Sequence, residues 1–427
     1  MDKNTKQVSG PVNVARLEGK INNITKVIYL FMDYHAPACS QTECENLFAK
    51  DIQLYLAENF DKLNKSDKIY DFFFEIYPTE LQNVQKGYHH PMDVNYKEGY
   101  IWEIMKFFRK IFKYQPNENI VSLSDYFKNV RLHYIDVRFY FKKNYFQKIN
   151  HAFELIHQMW SYVFINLHNL SQIIGIVEEI GKDCQNIINV LESSVNSYKK
   201  TGKISVIKFK DFSSESPLQP QEDQDKINEE HMRYLVYKLF TKYNITSVKN
   251  KMLEQINIII NNLKEIVSEC QKIKDDFIKI GDKIYASPHY LLIPNELRKG
   301  NFNYGMNPVV TREMITYIFS SIFLLDDMYI RFFSRFMDVY FLRRFLDKNY
   351  ITNAIVYTGA AHSNNYIEIL LKEFGFHITH FSYAKITDLE KLEQEVFERN
   401  YDELFELFSP PIFNQCSDMS HFPENFL

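Results

Sequence analysis

Two short apolar segments at opposite ends of the chain each lead into a histidine. Residues 27–32 are apolar and β-favouring, and His35 follows them closely. Residues 354–358 have the same character, and Gly359 and His362 come soon after them. Such uninterrupted runs predict buried strands, and ligands collect at the carboxyl ends of the strands in open α/β sheets. We therefore expect one sheet that brings both histidines to the same site.

Strands and helices alternate on both sides of a long helical stretch. The sequence predicts strands at 26–34, 68–76, 131–137, 353–358 and 376–382, with helices near 43–59, 98–114, 363–374 and 388–406. Strands that alternate with helices are typical of parallel sheets. The predicted fold class is α/β: a mainly parallel sheet flanked by helices, with a large inserted helical block.

The chain divides into four predicted segments. They are a flexible lead (1–20), the first half of an α/β domain (21–142), a helical insertion (143–350) and the second half of the domain (351–427).

Within the insertion, the polar stretch 200–228 predicts a mobile loop. Apolar residues then recur at helical spacing, at Leu253, Ile256, Ile260, Leu263, Val267, Cys270 and Phe277. We interpret this seam as packing against the helix at 143–198 in an antiparallel hairpin. A homo-oligomer formed through the seam is the alternative.

Composition excludes some classes of partner. The 427 residues carry a formal net charge of -4, whereas nucleic-acid binding normally needs a basic surface. The longest apolar stretch, 314–325, is too short to span a bilayer, and residues 1–7 lack the apolar core of a signal peptide. We expect no nucleic-acid or membrane partner and a cytoplasmic location. The cysteines are odd in number and scattered, which predicts a reducing compartment and no disulfide framework: Cys39, Cys44, Cys184, Cys270 and Cys416.

Glu75 is the third candidate residue of the site. It follows three consecutive phenylalanines, and a carboxylate in such surroundings must be paired, bound to a metal or protonated. Two imidazoles and a carboxylate, here His35, His362 and Glu75, commonly bind a catalytic divalent metal and leave one position open. The same set suits a metal-free site in which a His–Glu pair activates water.

Each of these residues also has a purely structural interpretation. His35 can be a turn histidine bonded to a nearby carbonyl group, Glu75 can form a local ion pair, and His362 can cap a helix. Two residues that end the third predicted strand can complete an active site, since Asp136 can orient a histidine and Arg138 can stabilise an oxyanion.

At these positions the chain resembles the superfamily of the TIKI/TraB proteins, the ChaN-like haem-binding proteins and the erythromycin esterases. The matching segments are Met32-Asp33-Tyr34-His35, Phe73-Phe74-Glu75, Gly359-Ala360-Ala361-His362 and Ile135-Asp136-Val137-Arg138. Asp33 stands where the family pattern has a longer glutamate, and Met32 replaces a glycine. The Asn-, Ile-, Lys- and Tyr-rich composition also resembles uncharacterised proteins of large cytoplasmic DNA viruses.

The resemblance implies a hydrolase of peptide or ester bonds. Its expected catalytic residues are Glu75, His35, His362, Asp33, Arg138 and Asp136, and a divalent metal, if present, would be held by His35, Glu75 and His362. The alternative is a catalytically silent scaffold or virion-associated protein that keeps the fold. A third hypothesis is binding of haem or another small ligand through His35 or Tyr34. A viral origin would place the protein in the host cytoplasm or the virion.

Overall fold

The computed structural model describes two compact units. The described residues are 6–35, 44–76, 99–113, 121–201, 239–240, 243–286, 308–399, 401–411 and 414–426. The first unit comprises Met1–Val137, Tyr243–Lys251 and Met337–Leu427, and the second comprises Arg138–Lys242 and Met252–Phe336. The first unit contains the strands, and the second is helical.

The strands form a large sheet and a small one. Their bounds are β1 (Gln7–Ser9), β2 (Asn13–Ile21), β3 (Ile24–Asp33), β4 (Lys50–Asp51), β5 (Tyr70–Phe74), β6 (Phe112–Lys113), β7 (Val121–Ser124), β8 (Val130–Tyr134), β9 (Asn353–Gly359), β10 (His377–Phe381) and β11 (Cys416–Asp418). The large sheet has the order β10-β2-β3-β9-β5-β8-β7-β6, and the small sheet has the order β11-β1-β4.

The prediction of a mainly parallel sheet is wrong for the sheet as a whole. Strands β3, β9, β5 and β8 pair in parallel. The flanking pairs β10–β2, β2–β3, β7–β8 and β6–β7 are antiparallel. The fold is mixed α/β, with a parallel centre that the continuous apolar strands predicted and antiparallel strands on both sides of it.

Within the segment predicted as a flexible lead, the described residues 6–20 include β1 and most of β2 instead. Strand β2 pairs with β3 through a tight hairpin at Asn22 and Asn23, whose φ angles are 50° and 64°. Two-residue turns with both φ values positive favour asparagine and match the twist of a hairpin. Charged residues make the sequence of β2 look polar, so its strand character is not apparent. Arg16 is nevertheless buried, and its Nε donates a hydrogen bond to the Tyr29 hydroxyl.

Helices cover the first unit and make up the second. Their bounds are α1 (Ile52–Leu63), α2 (Tyr100–Phe108), α3 (Phe139–Tyr162), α4 (Leu167–Thr201), α5 (Thr246–Tyr285), α6 (Pro308–Asp347), α7 (Ala360–Phe374), α8 (Leu389–Glu398) and α9 (Tyr401–Phe408). No helix in the described part of the chain is long and apolar enough to cross a membrane.

Aromatic residues of β5 pack on both faces of the large sheet. Phe72 contacts Phe60 of α1 on one face, with ring centroids 5.3 Å apart. Phe73 points to the other face and contacts Phe341 of α6 at 4.9 Å. Because side chains alternate along a strand, consecutive phenylalanines fill both cores. This burial explains why Glu75, at the end of the same strand, needs polar partners.

The last turn of α6 is tied to the sheet by a buried lysine. The Lys26 ammonium donates to the carbonyl oxygens of Phe345 at 2.8 Å, Lys348 at 2.9 Å and Ile351 at 2.5 Å. These carbonyl groups lie at and just after the end of the helix, where backbone acceptors lack intrahelical partners. The contact fixes the C-terminal part of α6 against β3, within the first unit.

In the second unit, α4 and α5 lie antiparallel, as the sequence predicted. Lys264 pairs with Glu192 at 2.7 Å, and nearly three turns further along α5 Lys274 pairs with Glu178. The seam residues Ile256, Ile260, Leu263, Cys270 and Phe277 are buried. Most of the predicted mobile loop, residues 202–228, lies outside the described residues.

One disulfide contradicts the prediction from cysteine spacing. Cys44 is bonded to Cys416, 372 positions away. A bridge over such a separation leaves no local pattern, so spacing alone cannot reveal it. Cys184 and Cys270 are free thiols and buried.

Candidate functional site

The register of the parallel strands brings the three predicted residues together. Asp33, the last residue of β3, lies opposite Gly359 of β9. On the other side of β9, the Glu75 amide donates to the carbonyl oxygen of Tyr357 at 3.2 Å. The carboxyl ends of β3, β9 and β5 are therefore neighbours, and the side chains that follow them converge at one edge of the sheet.

A continuous chain of contacts joins two histidines and three carboxylates. His35 Nδ1 lies 2.7 Å from Asp33 Oδ2, and His35 Nε2 lies 3.4 Å from Glu75 Oε2. On the other side of Glu75, its Oε1 lies 3.3 Å from His362 Nε2, and His362 Nδ1 lies 2.7 Å from Asp338 Oδ1. We call Asp33, His35, Glu75, His362 and Asp338 the His–carboxylate chain.

The two ends of the His–carboxylate chain are held by further hydrogen bonds. Asp33 Oδ1 accepts from the Tyr357 hydroxyl at 3.2 Å and from Gln415 Nε2 at 3.0 Å. Asp338 accepts at its other oxygen from Asn365 Nδ2. Each terminal carboxylate therefore presents one oxygen to a histidine and uses the other for anchoring.

Gly359 contacts the centre of the site through its backbone. Its amide donates to Glu75 Oε2 at 2.8 Å. A Cβ atom at this position would lie 2.8 Å from His35 Nε2, closer than real Cβ contacts. The glycine is thus needed for the approach of the His35 ring and not for an unusual backbone angle, since its φ is -55°.

His35 itself adopts a left-handed backbone conformation, with φ of 53°. Its amide donates to Asp33 Oδ2 at 3.2 Å, so the same carboxylate oxygen holds both the backbone and the ring of His35. Non-glycine residues in this region carry a conformational cost and cluster at functional sites.

Exposure distinguishes His35 from the rest of the His–carboxylate chain. Its side chain is 34% exposed, whereas those of Glu75 and His362 are 3% and 4% exposed. Asp33 and Asp338 are buried. His35 is therefore the member of the His–carboxylate chain that solvent reaches most directly.

The carboxylates favour protonation of both histidines. Burial lowers the pKa of His35, but the charge of Glu75 and the hydrogen bond to Asp33 outweigh burial and raise this pKa to about 10. For His362, burial again lowers the pKa, while Glu75 and Asp338 raise it to about 9. The raised pKa values favour the protonated form of both rings in the metal-free site at neutral pH.

The contacts of the ring nitrogens determine how the site could bind the predicted divalent metal. Because the Nδ1 atoms of His35 and His362 are held by carboxylates, each ring would bind an ion through Nε2, with an outer carboxylate orienting it. Glu75 would supply the third ligand. Among the residues that the structure describes, however, no group of three or more His, Cys, Asp or Glu side chains is arranged to hold a metal ion.

The two remaining predicted site residues, Asp136 and Arg138, belong to different units. Asp136 is buried two residues after β8, and the neighbouring Ile135 amide donates to the Phe74 carbonyl oxygen at 3.1 Å. Asp136 therefore belongs to the same sheet edge as Glu75. Arg138 is half-buried and starts the second unit, and its role in the site stays a prediction.

Sequence reasoning missed Asp338 and Gln415. Asp338 lies within the apolar helix α6, between Met337 and Val339. A carboxylate in apolar surroundings needs a partner, and Asp338 could have been identified from the sequence on this ground, as Glu75 was. Gln415 carries no comparable signal, because an amide near a chain end is common on protein surfaces.

Comparison with other proteins gives the relatives of this chain. It is 39% identical over 429 residues to uncharacterized protein R706 of Acanthamoeba polyphaga mimivirus, covering 100% of this chain and 98% of the relative. It is 36% identical over 444 residues to uncharacterized protein R161 of the same virus, covering 100% of this chain and 99% of the relative. No solved structure matches the chain. The model of a family of unknown function, DUF5847, matches residues 6–427, and the chain belongs to this family.

Proposed function

We propose that the protein is a hydrolase of ester or peptide bonds that uses the His–carboxylate chain. The observation that carries the proposal is the position of His35: it is accessible, and its two ring nitrogens face Asp33 and Glu75. A histidine oriented by a carboxylate at one nitrogen and able to exchange a proton at the other is the usual general base in acyl transfer.

In the proposed reaction, neutral His35 accepts a proton from water at Nε2 while the water oxygen attacks the substrate carbonyl carbon. Asp33 stabilises the imidazolium that forms. The ester or amide bond then breaks, and the imidazolium returns the proton to the leaving oxygen or nitrogen. Glu75, held by Gly359 and His362, keeps a negative charge beside the imidazolium throughout.

A divalent metal in the site remains part of the proposal. Two ligand atoms about 2.1 Å from a tetrahedral ion lie about 3.4 Å apart. Glu75 Oε2 lies 3.4 Å from His35 Nε2, and Glu75 Oε1 lies 3.3 Å from His362 Nε2, both close to that value. The negative charge that attracts protons to His35 and His362 would also attract a cation. When bound, the ion would lower the pKa of a bound water.

The resemblance to the TIKI/TraB, ChaN-like and erythromycin-esterase superfamily supports the same reaction class. The segments quoted from the sequence supply four members of the His–carboxylate chain, and Asp33 reaches His35 Nδ1 although it is shorter than glutamate. The viral relatives support a location in the host cytoplasm or the virion. The Cys44–Cys416 disulfide favours the virion, because disulfides persist there more readily than in a reducing cytoplasm.

A catalytically silent scaffold is the second candidate. One observation favours it: each ring nitrogen of His35 and His362 already faces a carboxylate, as in a purely structural ion-pair network. Haem or small-ligand binding through His35 or Tyr34 stays a prediction, and an absorbance band in the purified protein would reveal haem.

The test measures hydrolysis of generic esters and peptides by wild type, His35→Ala and Glu75→Gln. Each protein is assayed before and after a chelator removes divalent metal, and its metal content is determined by elemental analysis. His377→Ala is the matched control, because His377 is an exposed histidine of the same unit. In metal-free protein near pH 10, where much of the wild-type His35 is neutral, the proposal predicts activity that both site variants lose and the control retains. Activity that survives in both site variants would show that the His–carboxylate chain does not carry out the hydrolysis. Absence of activity in wild type, with and without added divalent metal, would favour the scaffold.

A further inference from the structure

A cavity of about 340 Å³ is lined by residues that are linked to the part of the chain around Asp33. One link is a backbone hydrogen bond, and the other runs through the side chain of Gln415. Val12, which lines the cavity, donates its amide hydrogen to the carbonyl oxygen of Met32 at 2.8 Å. Asn414 also lines it and directly precedes Gln415, which donates to Asp33 Oδ1.

The walls of the cavity are fixed by covalent and hydrogen bonds. Cys416 lines it and is bonded to Cys44. Tyr383, on another side, donates its amide hydrogen to Asn13 Oδ1 at 2.9 Å, and Asn13 Nδ2 donates to the Phe408 carbonyl oxygen at 2.7 Å. Because the walls are held before any ligand binds, little ordering cost would oppose binding.

The lining is rich in hydrogen-bond acceptors. Two of its oxygen atoms, Gln7 Oε1 and Asn414 Oδ1, are buried and have no hydrogen-bond partner. Buried polar atoms are normally paired, so these two oxygens are available as acceptors for a molecule that enters the cavity.

The charge of the lining is negative. Glu45 and Asp418 contribute carboxylates, and no lysine or arginine is among the described lining residues. The lysine nearest in sequence, Lys6, pairs with Glu424 at 2.8 Å, and Glu424 does not line the cavity. Acceptor atoms together with negative charge select a cationic group that carries several N–H donors.

We propose that this cavity binds an ammonium or guanidinium group of the substrate, so that the enzyme cleaves an ester or peptide bond close to a basic side chain. This inference rests on the proposed function for the cleavage, whereas binding can be measured without it. The role of the cavity is recognition, and His35 carries out the chemistry.

The binding experiment uses the amide of N-acetyl-arginine, with the amide of N-acetyl-norleucine as the uncharged probe. Both are titrated into the full-length protein and its variants by calorimetry. We expect the arginine probe to bind at least tenfold more tightly than the norleucine probe, and Glu45→Gln and Asp418→Asn each to weaken it about fivefold to tenfold. Glu406→Gln, which alters an exposed carboxylate outside the cavity, should leave binding unchanged.

The kinetic experiment compares kcat/KM for arginine and norleucine esters. Equal binding of the two probes, or unchanged binding in both carboxylate variants, overturns the cavity assignment even if the esters are hydrolysed. Preferential arginine binding without hydrolysis supports the cavity and overturns the proposed function. A kcat/KM preference for the arginine ester that Glu45→Gln and Asp418→Asn reduce supports both.

Discussion

Gly359 and His35 are packed so closely that the His35 ring, as it lies, leaves no room for a side chain at position 359. A Cβ atom on Gly359 would lie 2.8 Å from His35 Nε2 and 3.6 Å from Glu75 Oε2. Because the backbone of Gly359 has a φ that any residue adopts, an alanine there would act on the neighbouring ring and not on the strand.

Gly359→Ala is therefore predicted to displace His35 while the protein stays folded. We expect hydrolysis to fall at least tenfold, since about 1 Å of misplacement of a catalytic group has effects of this size. The thermal midpoint should change by only a few degrees. Gly175→Ala is the control, because a Cβ at Gly175 meets nothing within 4 Å. Full activity in Gly359→Ala would show that the His35 ring does not need its present position.

The sequence predicted the centre of this site better than its surroundings. Glu75 and His362 follow strands whose apolar character is continuous, so their strand ends and their convergence could be inferred. Strand β2 was missed because Arg16 and Glu18 make it look polar, although Arg16 is buried against Tyr29. Contacts such as Asp338 with His362 depend on how α6 packs, and packing between distant segments leaves no periodic signal.

The raised pKa of His362 predicts a loss of stability in alkali. Its pKa is about 9 in the folded protein, against an ordinary value of 6.5. The folded state therefore binds the proton more tightly, and the stabilisation is complete below pH 6.5 and lost as pH rises through about 9. The difference corresponds to about 3 kcal/mol. Denaturant unfolding of metal-free protein between pH 6 and 10 measures it, and the slope should flatten in His362→Gln.

The same site predicts an alkaline activity profile. Because His35 must lose its proton to act as a base, kcat in metal-free protein should rise with pH toward the His35 pKa of about 10. Glu75→Gln removes the charge that raises both histidine pKa values, so NMR titration should show them lower in this variant. If the resonances assigned to His35 and His362 titrate near pH 6.5 in wild type, the charge coupling is absent.

His133 is predicted to lower the stability of the protein in acid, whereas His362 lowers it in alkali. It is buried, its Nε2 contacts Asp71 Oδ1 at 2.6 Å, and its Nδ1 accepts from Arg344 Nε at 3.1 Å. Burial, together with the charge of Arg344, lowers its pKa to about 4 despite the bond to Asp71. The unfolded chain therefore binds this proton more readily, and stability should fall by about 3 kcal/mol between pH 6.5 and 4. His133→Gln, whose amide can donate to Asp71 and accept from Arg344, should remove this dependence.

The last prediction concerns the Cys44–Cys416 disulfide, which closes a loop of almost the whole chain. Such a bridge stabilises by restricting the unfolded chain, typically by about 2–4 kcal/mol. Cys44→Ser should therefore lower the free energy of unfolding by this amount, and dithiothreitol should have the same effect on wild type. Peptide mapping without reductant should recover the linked peptide. Dithiothreitol should not destabilise Cys44→Ser further, because Cys416 then has lost its partner and Cys184 and Cys270 are already free. The contrary outcome is that mapping shows the bridge intact without reductant and broken with it, while wild type is equally stable in both conditions. The hydrogen bonds between β1 and β11 would then be enough to hold this end of the chain.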